Sequence, residues 1–182
     1  MVDLFTEYQP KSDLEVADLA YILDAIKHYG EALFMRHPAM HFSSSAMIFN
    51  PSMTKTLLIY HKLYDSWGWT GGHMDGDTDF LKVAIKEAKE ETGLDSITCL
   101  NSNPISIEVL PVWFHYKHGK PISSHLHLNA SYILIADDQL PLKQNVEETN
   151  GVKWVNIDEI TQYVSEPEMM PIYQKIIERG KK

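Results

Sequence analysis

Cysteine is nearly missing from the chain. Cys99 is the single one in 182 residues, which excludes an internal disulfide and any multi-cysteine zinc centre. Basic residues are also scarce: 16 Lys and Arg stand against 25 Asp and Glu, for a formal charge of −9. That balance argues against a broad phosphate-backbone footprint and so against general nucleic-acid binding. It leaves room for a small phosphorylated substrate held through a metal. No apolar run approaches the roughly 18–20 residues of a membrane span. The start, Met1 to Glu7, lacks the basic residues and apolar stretch of a secretory leader. These absences together predict a soluble, cytoplasmic protein. Repeats and low-complexity tracts are missing too. What is present is a globular balance, 44% hydrophobic and 23% charged, which excludes disorder as the default. The length suits one domain with a short extra element.

Asp13 to Tyr29 predicts a helix. Leu14, Leu19, Ile22, Leu23 and Ile26 recur at helical spacing, Ser12 can cap the start and Gly30 suits the end. Ser45–Phe49 and Thr56–His61 predict two strands, and the turn chemistry of Asn50-Pro51-Ser52-Met53 predicts a hairpin between them. A polar, glycine-rich loop follows from Trp67 to Asp77. The next helix runs from Phe80 to about Thr92, with Thr78 or Asp79 as N-cap, Gly93 past the end, and an apolar stripe of Leu81, Ala84, Ile85 and Ala88. Further strands are expected at Ile105–Val112, Leu126–Ala136 and Val152–Asn156. A last helix is expected from Glu168 to Glu178, interrupted or restarted at Pro171. Elements mixed without regular βαβ alternation favour an α+β or α/β/α sandwich over a doubly wound sheet.

The most informative segment is Lys86-Glu87-Ala88-Lys89-Glu90-Glu91-Thr92-Gly93-Leu94. Glu87, Glu90 and Glu91 stand at i, i+3 and i+4 and share one helix face. At an effective dielectric of about 20, one such pair at 6 Å repels by roughly 3 kcal/mol before screening. Glu87 has no basic residue three or four positions away, and Glu90 has Lys86 only in the weaker basic-first order. All three lie toward the helix C-terminus, where the macrodipole disfavours anions. A cation joining the cluster would relieve it, and clustered carboxylates suit hard divalent ions such as Mg²⁺ or Mn²⁺. A solvated acidic face is the plain alternative for such a run. The upstream pair Gly71-Gly72 favours the functional reading, because glycines let backbone approach a ligand closely.

Gly72 through Leu94 resembles the signature of the Nudix hydrolases: glycine, five residues, Glu, seven residues, then Arg-Glu-aliphatic-any-Glu-Glu-any-Gly-aliphatic. The spacing is complete over 23 residues, Gly72, Gly93 and the three helix glutamates match, and Ala88 falls within the small and aliphatic choices. Lys86 stands in place of the arginine and Thr78 in place of the isolated glutamate. Lysine keeps the charge but lacks the planar fork that holds a carboxylate bidentately. Weaker likeness extends from Phe42 to Ile160. The resemblance implies an α/β/α sandwich with a central mixed sheet, a domain over 39–182 and an N-terminal helical extension over 1–38. It also implies metal-dependent cleavage of the diphosphate linkage of a nucleoside diphosphate derivative, by water attacking phosphorus. Divalent ions, Mg²⁺ or Mn²⁺, would neutralise the diphosphate and acidify the attacking water. Glu87, Glu90 and Glu91, with the Gly72 carbonyl, would be metal ligands, Glu87 would help activate water, and Lys86 would orient Glu87. A further loop glutamate, Glu147 or Glu148, is a candidate near the substrate.

Other candidates are less specific. His125 and His127 alternate on a strand and so project from one face. Substrate contact, a zinc pair or a structural face all fit them. Trp67 and Trp69 could stack on a nucleobase, or sit in a core. Cys99 reads as a small core residue. Two alternatives to the hydrolase stand: an enzyme like isopentenyl diphosphate isomerase, and a non-catalytic nucleotide-binding module. The N-terminal helix would either mediate a homodimer or cap the sheet.

Overall fold

The computed structural model describes residues 3–63, 65–117, 119–147 and 149–181. Its centre is an eight-stranded mixed sheet. In chain order the strands are β1 (Met40–Phe49), β2 (Lys55–His61), β3 (Ser66–Gly68), β4 (Thr70–His73), β5 (Thr98–Cys99), β6 (Ser106–Val112), β9 (His125–Ile135) and β10 (Thr149–Asn156). Two short strands, β7 (His115–Lys117) and β8 (Lys120–Ile122), form a separate hairpin. The long central pair, β1 and β9, runs parallel in register from Met40↔Leu126 to Phe49↔Ile135. Every other pairing is antiparallel, including β4 on β1, β2 on β1 and β6 on β9.

Helices cover both faces. α1 (Asp3–Glu7), α2 (Asp13–Tyr29) and α3 (Phe80–Thr92) contribute to one core, with Ala46, Ile48, Ala130, Tyr132 and Leu134 of the sheet. α4 (Met170–Gly180) closes the other core, with Met47, Phe49, Leu58 and Ile133. Alternate strand residues therefore feed opposite cores, as a two-sided sheet requires. This is the α+β sandwich with a central mixed sheet that the sequence predicts.

Both major helices have the predicted bounds. Ser12 Oγ accepts the Glu15 amide and Asp79 Oδ1 accepts the Lys82 amide, each satisfying an orphan donor of the first turn. The hairpin of β1 and β2 also forms where expected, with Asn50 Oδ1 accepting the amides of Thr54 and Lys55.

Several expectations need correction. Trp67–Asp77 is not all loop: β3 and β4 occupy much of it, and the glycines of β4 are covered by β1. β1 starts at Met40, since Ser43, Ser44 and Ser45 are buried with partners in Asn129 and the Phe80 carbonyl. Pro171 does not interrupt the last helix but sits in its first turn, where a missing N–H costs nothing. In α2 the stripe of Leu19, Ile22, Leu23 and Ile26 faces the first core as expected, but Leu14 is 60% exposed while Glu15 is fully buried in its place. The carboxylate of Glu15 meets Arg179 and Lys175 from α4. Cys99 lies half-buried at the margin of the first core.

Candidate active site

α3 lies across β1 and β4. Its inward residues are Phe80, Val83, Ala84, Ala88, Glu91 and Thr92. That stripe carries Glu91 into the interior, where it is 2% exposed. Its Oε2 accepts the Gly71 amide at 3.1 Å. Glu87, one turn earlier, lies against Gly72. A Cβ built on Gly72 would meet Glu87 Cδ at 2.5 Å and Oε2 at 2.7 Å. The missing side chain therefore leaves the space that this carboxylate fills. Two consecutive glycines of one strand thus each serve one glutamate of the facing helix.

Glu90 faces outward, with a side chain 53% exposed, against 14% for Glu87. Lys86 bridges the two, with Nζ 3.0 Å from Glu87 Oε1 and 3.2 Å from Glu90 Oε2. Helical spacing gives Glu87 no basic neighbour. The adjacent Lys86 reaches it nevertheless, because a long flexible side chain can fold along the helix surface. Two ion pairs raise the Lys86 pKa, the hydrogen bond to Glu87 being the largest cause.

Beside Glu90 is an open cleft of about 400 Å³, lined among others by Lys89, Glu90, Lys143, Asn145 and Glu147. Glu147 is held there by its backbone: Lys62 Nζ donates to its carbonyl and to that of Val146, and its amide donates to Asn145 Oδ1. Glu148 lies outside the described residues.

The aromatic candidates separate. Trp69 is 7% exposed and packs edge-on against Tyr173 in the second core, which leaves little ring face for a ligand. Trp67 is half-buried between Tyr60 and Tyr163, with Lys153 Nζ 4.1 Å from its ring centroid. Both belong to the second core, whereas α3 packs into the first. His125 and His127 do share a face, and they meet two histidines that spacing along the chain does not associate with them, His41 of β1 and His73 of β4. The register is the cause: His41 pairs with His127 across β1 and β9, and Ser43 pairs with His73 across β1 and β4. Burial pushes the His73 pKa down to about 3 and that of His127 to about 2, and lowers that of His41. These three rings are neutral near pH 7.

A family model for the NUDIX domain matches residues 40–179. The chain belongs to the Nudix hydrolase family. The fold agrees. A Nudix-family hydrolase from Clostridium perfringens superposes with a TM-score of 0.55 at 20% identity, covering 76% of this chain and 96% of that one. An Ap4A hydrolase from C. elegans, in a binary complex, gives 0.54 at 19% identity, with 74% and 93% covered. The NUDIX domain of Shewanella oneidensis NrtR, complexed with ADP ribose, gives 0.56 at 14%, with 86% and 97% covered. No curated protein matches the chain. The Nudix signature spans β4, α3 and the turn at Gly93, so a 23-residue pattern folds into one strand-and-helix unit with Glu87 and Glu91 facing the glycines. No helix among the described residues is long and apolar enough to cross a membrane.

Proposed function

We propose that this Nudix protein is a divalent-ion-dependent pyrophosphohydrolase that cleaves the diphosphate linkage of a nucleoside diphosphate derivative by attack of water at phosphorus. The observation that carries the reading is the fit of Glu87 against Gly72. A signature glycine is needed there because a carboxylate fills the space of its Cβ. All the donors on this surface are hard oxygens, which fit Mg²⁺ or Mn²⁺. Glu87, Glu90, Glu91 and the Gly72 carbonyl would hold the ion. When bound, it neutralises the diphosphate and lowers the pKa of water.

The side chains divide the remaining work. Lys86 holds Glu87 through Oε1, with Oε2 on the glycine side, and the carboxylate so oriented would take the proton of the attacking water. Glu91 is anchored by the Gly71 amide and keeps helix and strand in register. The cleft beside Glu90 offers Lys89 and Lys143 for a phosphate and Glu147 as an added carboxylate. The nucleotide class draws support from the Ap4A hydrolase and the ADP-ribose complex among the related structures.

The test is a panel of dinucleotides, nucleotide sugars, ADP-ribose and nucleoside triphosphates, assayed for phosphate release with Mg²⁺, Mn²⁺ or chelator. Hydrolysis should need the ion. Glu91→Gln should weaken metal binding about 10–100-fold. It should lower turnover by a similar factor while the fold is kept, since a glutamine oxygen can still accept the Gly71 amide. Wild-type turnover in Glu91→Gln would mean that a charged surface had been read as an active site.

A further inference from the structure

The four histidines at one end of the sheet are not used by the proposed hydrolysis. His41, His73, His125 and His127 each offer a ring nitrogen, and these atoms lie within 4.8 Å of one another. Ring centroids are 4.8 Å apart for His41 and His73, and 4.9 Å for His41 with either His125 or His127. Three strands supply them, so the cluster is a product of the fold and not of a local run of sequence.

Two of the rings are already set in one tautomer. His41 Nδ1 is 3.0 Å from the His37 carbonyl oxygen, and His125 Nδ1 is 2.8 Å from that of Ser123. A carbonyl only accepts, so each Nδ1 carries the hydrogen and each Nε2 keeps its lone pair. Such a backbone bond on the far nitrogen is the usual support of a metal-ligating histidine. His41 is 5% exposed, and its Nε2 has no hydrogen-bond partner. The buried Nε2 of His127 has none either. Buried polar atoms are rarely left unpaired, so two of them in one cluster ask for a common partner. Another imidazole does not supply it: His41 Nε2, with Nδ1 protonated, can only accept, and neither Nε2 is hydrogen-bonded to a neighbouring ring.

We propose that His41, His73, His125 and His127 bind a borderline transition-metal ion, with Zn²⁺ the best match, at a site separate in chemistry from the carboxylates of α3. Four nitrogens and no carboxylate suit Zn²⁺ and disfavour Mg²⁺. A tetrahedral zinc with 2.0–2.1 Å bonds needs ligand nitrogens about 3.4 Å apart, which small ring rotations from the present spacing supply. Arg36, a cation beside the cluster, is engaged in a two-point pair with Asp75, at 2.7 Å for each contact. The ion would join the ends of β1, β4 and β9, with β4 also carrying the glycines that face Glu87 and Glu91. This inference does not rest on hydrolysis.

Untagged full-length protein, stripped with chelator, should take up one equivalent of Zn²⁺ per chain in the presence of excess Mg²⁺. Co²⁺ should give the intense visible absorption of a tetrahedral site. His127→Gln should lose that absorption and weaken Zn²⁺ binding by about a hundredfold. His125→Gln, at a more accessible ring and so less of a risk to folding, should weaken it at least about tenfold. Circular dichroism of each stripped variant checks its fold. Glu87→Gln and Glu91→Gln should keep the absorption. Three results would overturn the proposal, the first two being wild type with no tight Zn²⁺ binding and an absorption that survives in both folded histidine variants. A band lost in the glutamate variants instead would place the ion at α3 and equally reject the histidine site.

Discussion

Gly71 and Gly72 are adjacent, yet a methyl group added to each meets different things. At Gly72 the three atoms nearest the new Cβ all belong to the Glu87 side chain, at 2.5–2.9 Å, and that side chain can swing away. At Gly71 it would meet Ser45 Oγ at 2.4 Å, and also the Ser44 carbonyl oxygen and Ser45 Cα at 2.9 Å, two of them backbone atoms. Gly72→Ala should therefore leave stability nearly unchanged and displace the carboxylate proposed as the base. Turnover should fall by about 10²-fold or more. Gly71→Ala should cost roughly 1–3 kcal/mol through overpacking between β4 and β1. Urea melts and turnover measured side by side separate the two. Equal stability losses would show that Glu87 cannot move as freely as the geometry implies. The same contrast shows how much of the site was legible in sequence. The glycine pair and glutamate spacing were readable because the chemistry is local. That one glycine serves Glu87 and the other Glu91 depends on the register of β4 against α3, which no spacing states.

At the scale of elements, the legible parts were those whose ends are fixed by their own residues. α2 and α3 came out at their expected bounds because Ser12, Asp79 and Gly93 act within one turn of the helix they terminate. Gly93 has φ +72°, a left-handed conformation that suits glycine. Asp79→Ala should remove the one side-chain cap of α3 and cost about 1 kcal/mol in a urea melt. A loss below a few tenths would mean that packing alone ends the helix. The elements that escaped the sequence reading are built by pairing. β4 is Thr-Gly-Gly-His, a poor strand by propensity, held because β1 lies beside it over four residue pairs. The serines in the middle of β1 are polar residues that burial alone would disfavour, and Asn129 and the Phe80 carbonyl are brought to them by the fold. The histidine cluster was half visible, since His125 and His127 share a strand, but its other half arrives through the register of β1 with β9 and β4. The aromatic residues were ambiguous for the same reason: Trp69 is in the core because α4 brings Tyr173 to it.

Across the whole molecule, α2 and the last helix are tied by a buried ion cluster. Glu15 of α2 receives Arg179 Nη2 at 3.0 Å and Lys175 Nζ at 3.1 Å, both from α4. Lys175 also reaches Glu108 of β6 at 3.1 Å, and Arg179 donates to the Ile105 carbonyl at 2.8 Å. The N-terminal helices therefore share the interior of the domain instead of hanging from it. Burial pushes the Glu15 carboxyl pKa up, but Arg179, the Lys11 amide and Lys175 outweigh it and bring it down to about 2 from an ordinary 4.5. A depressed carboxyl pKa adds stability above its unfolded value and loses it as the pH falls through the folded one. The contribution should be complete at neutral pH and fade between about 4.5 and 2. From that shift it is on the order of 3 kcal/mol. Glu15→Gln tests this in two ways. At pH 7 it should cost about 3–5 kcal/mol, because Arg179 and Lys175 are left buried with one anion fewer. Below pH 4.5 its unfolding free energy should fall less steeply than that of wild type, since the group that takes up a proton on unfolding is gone. Urea titrations at pH 7, 5, 4 and 3 give both numbers. Parallel pH profiles for the two proteins would mean that other carboxylates carry the acid sensitivity and that this cluster joins the helices by shape alone.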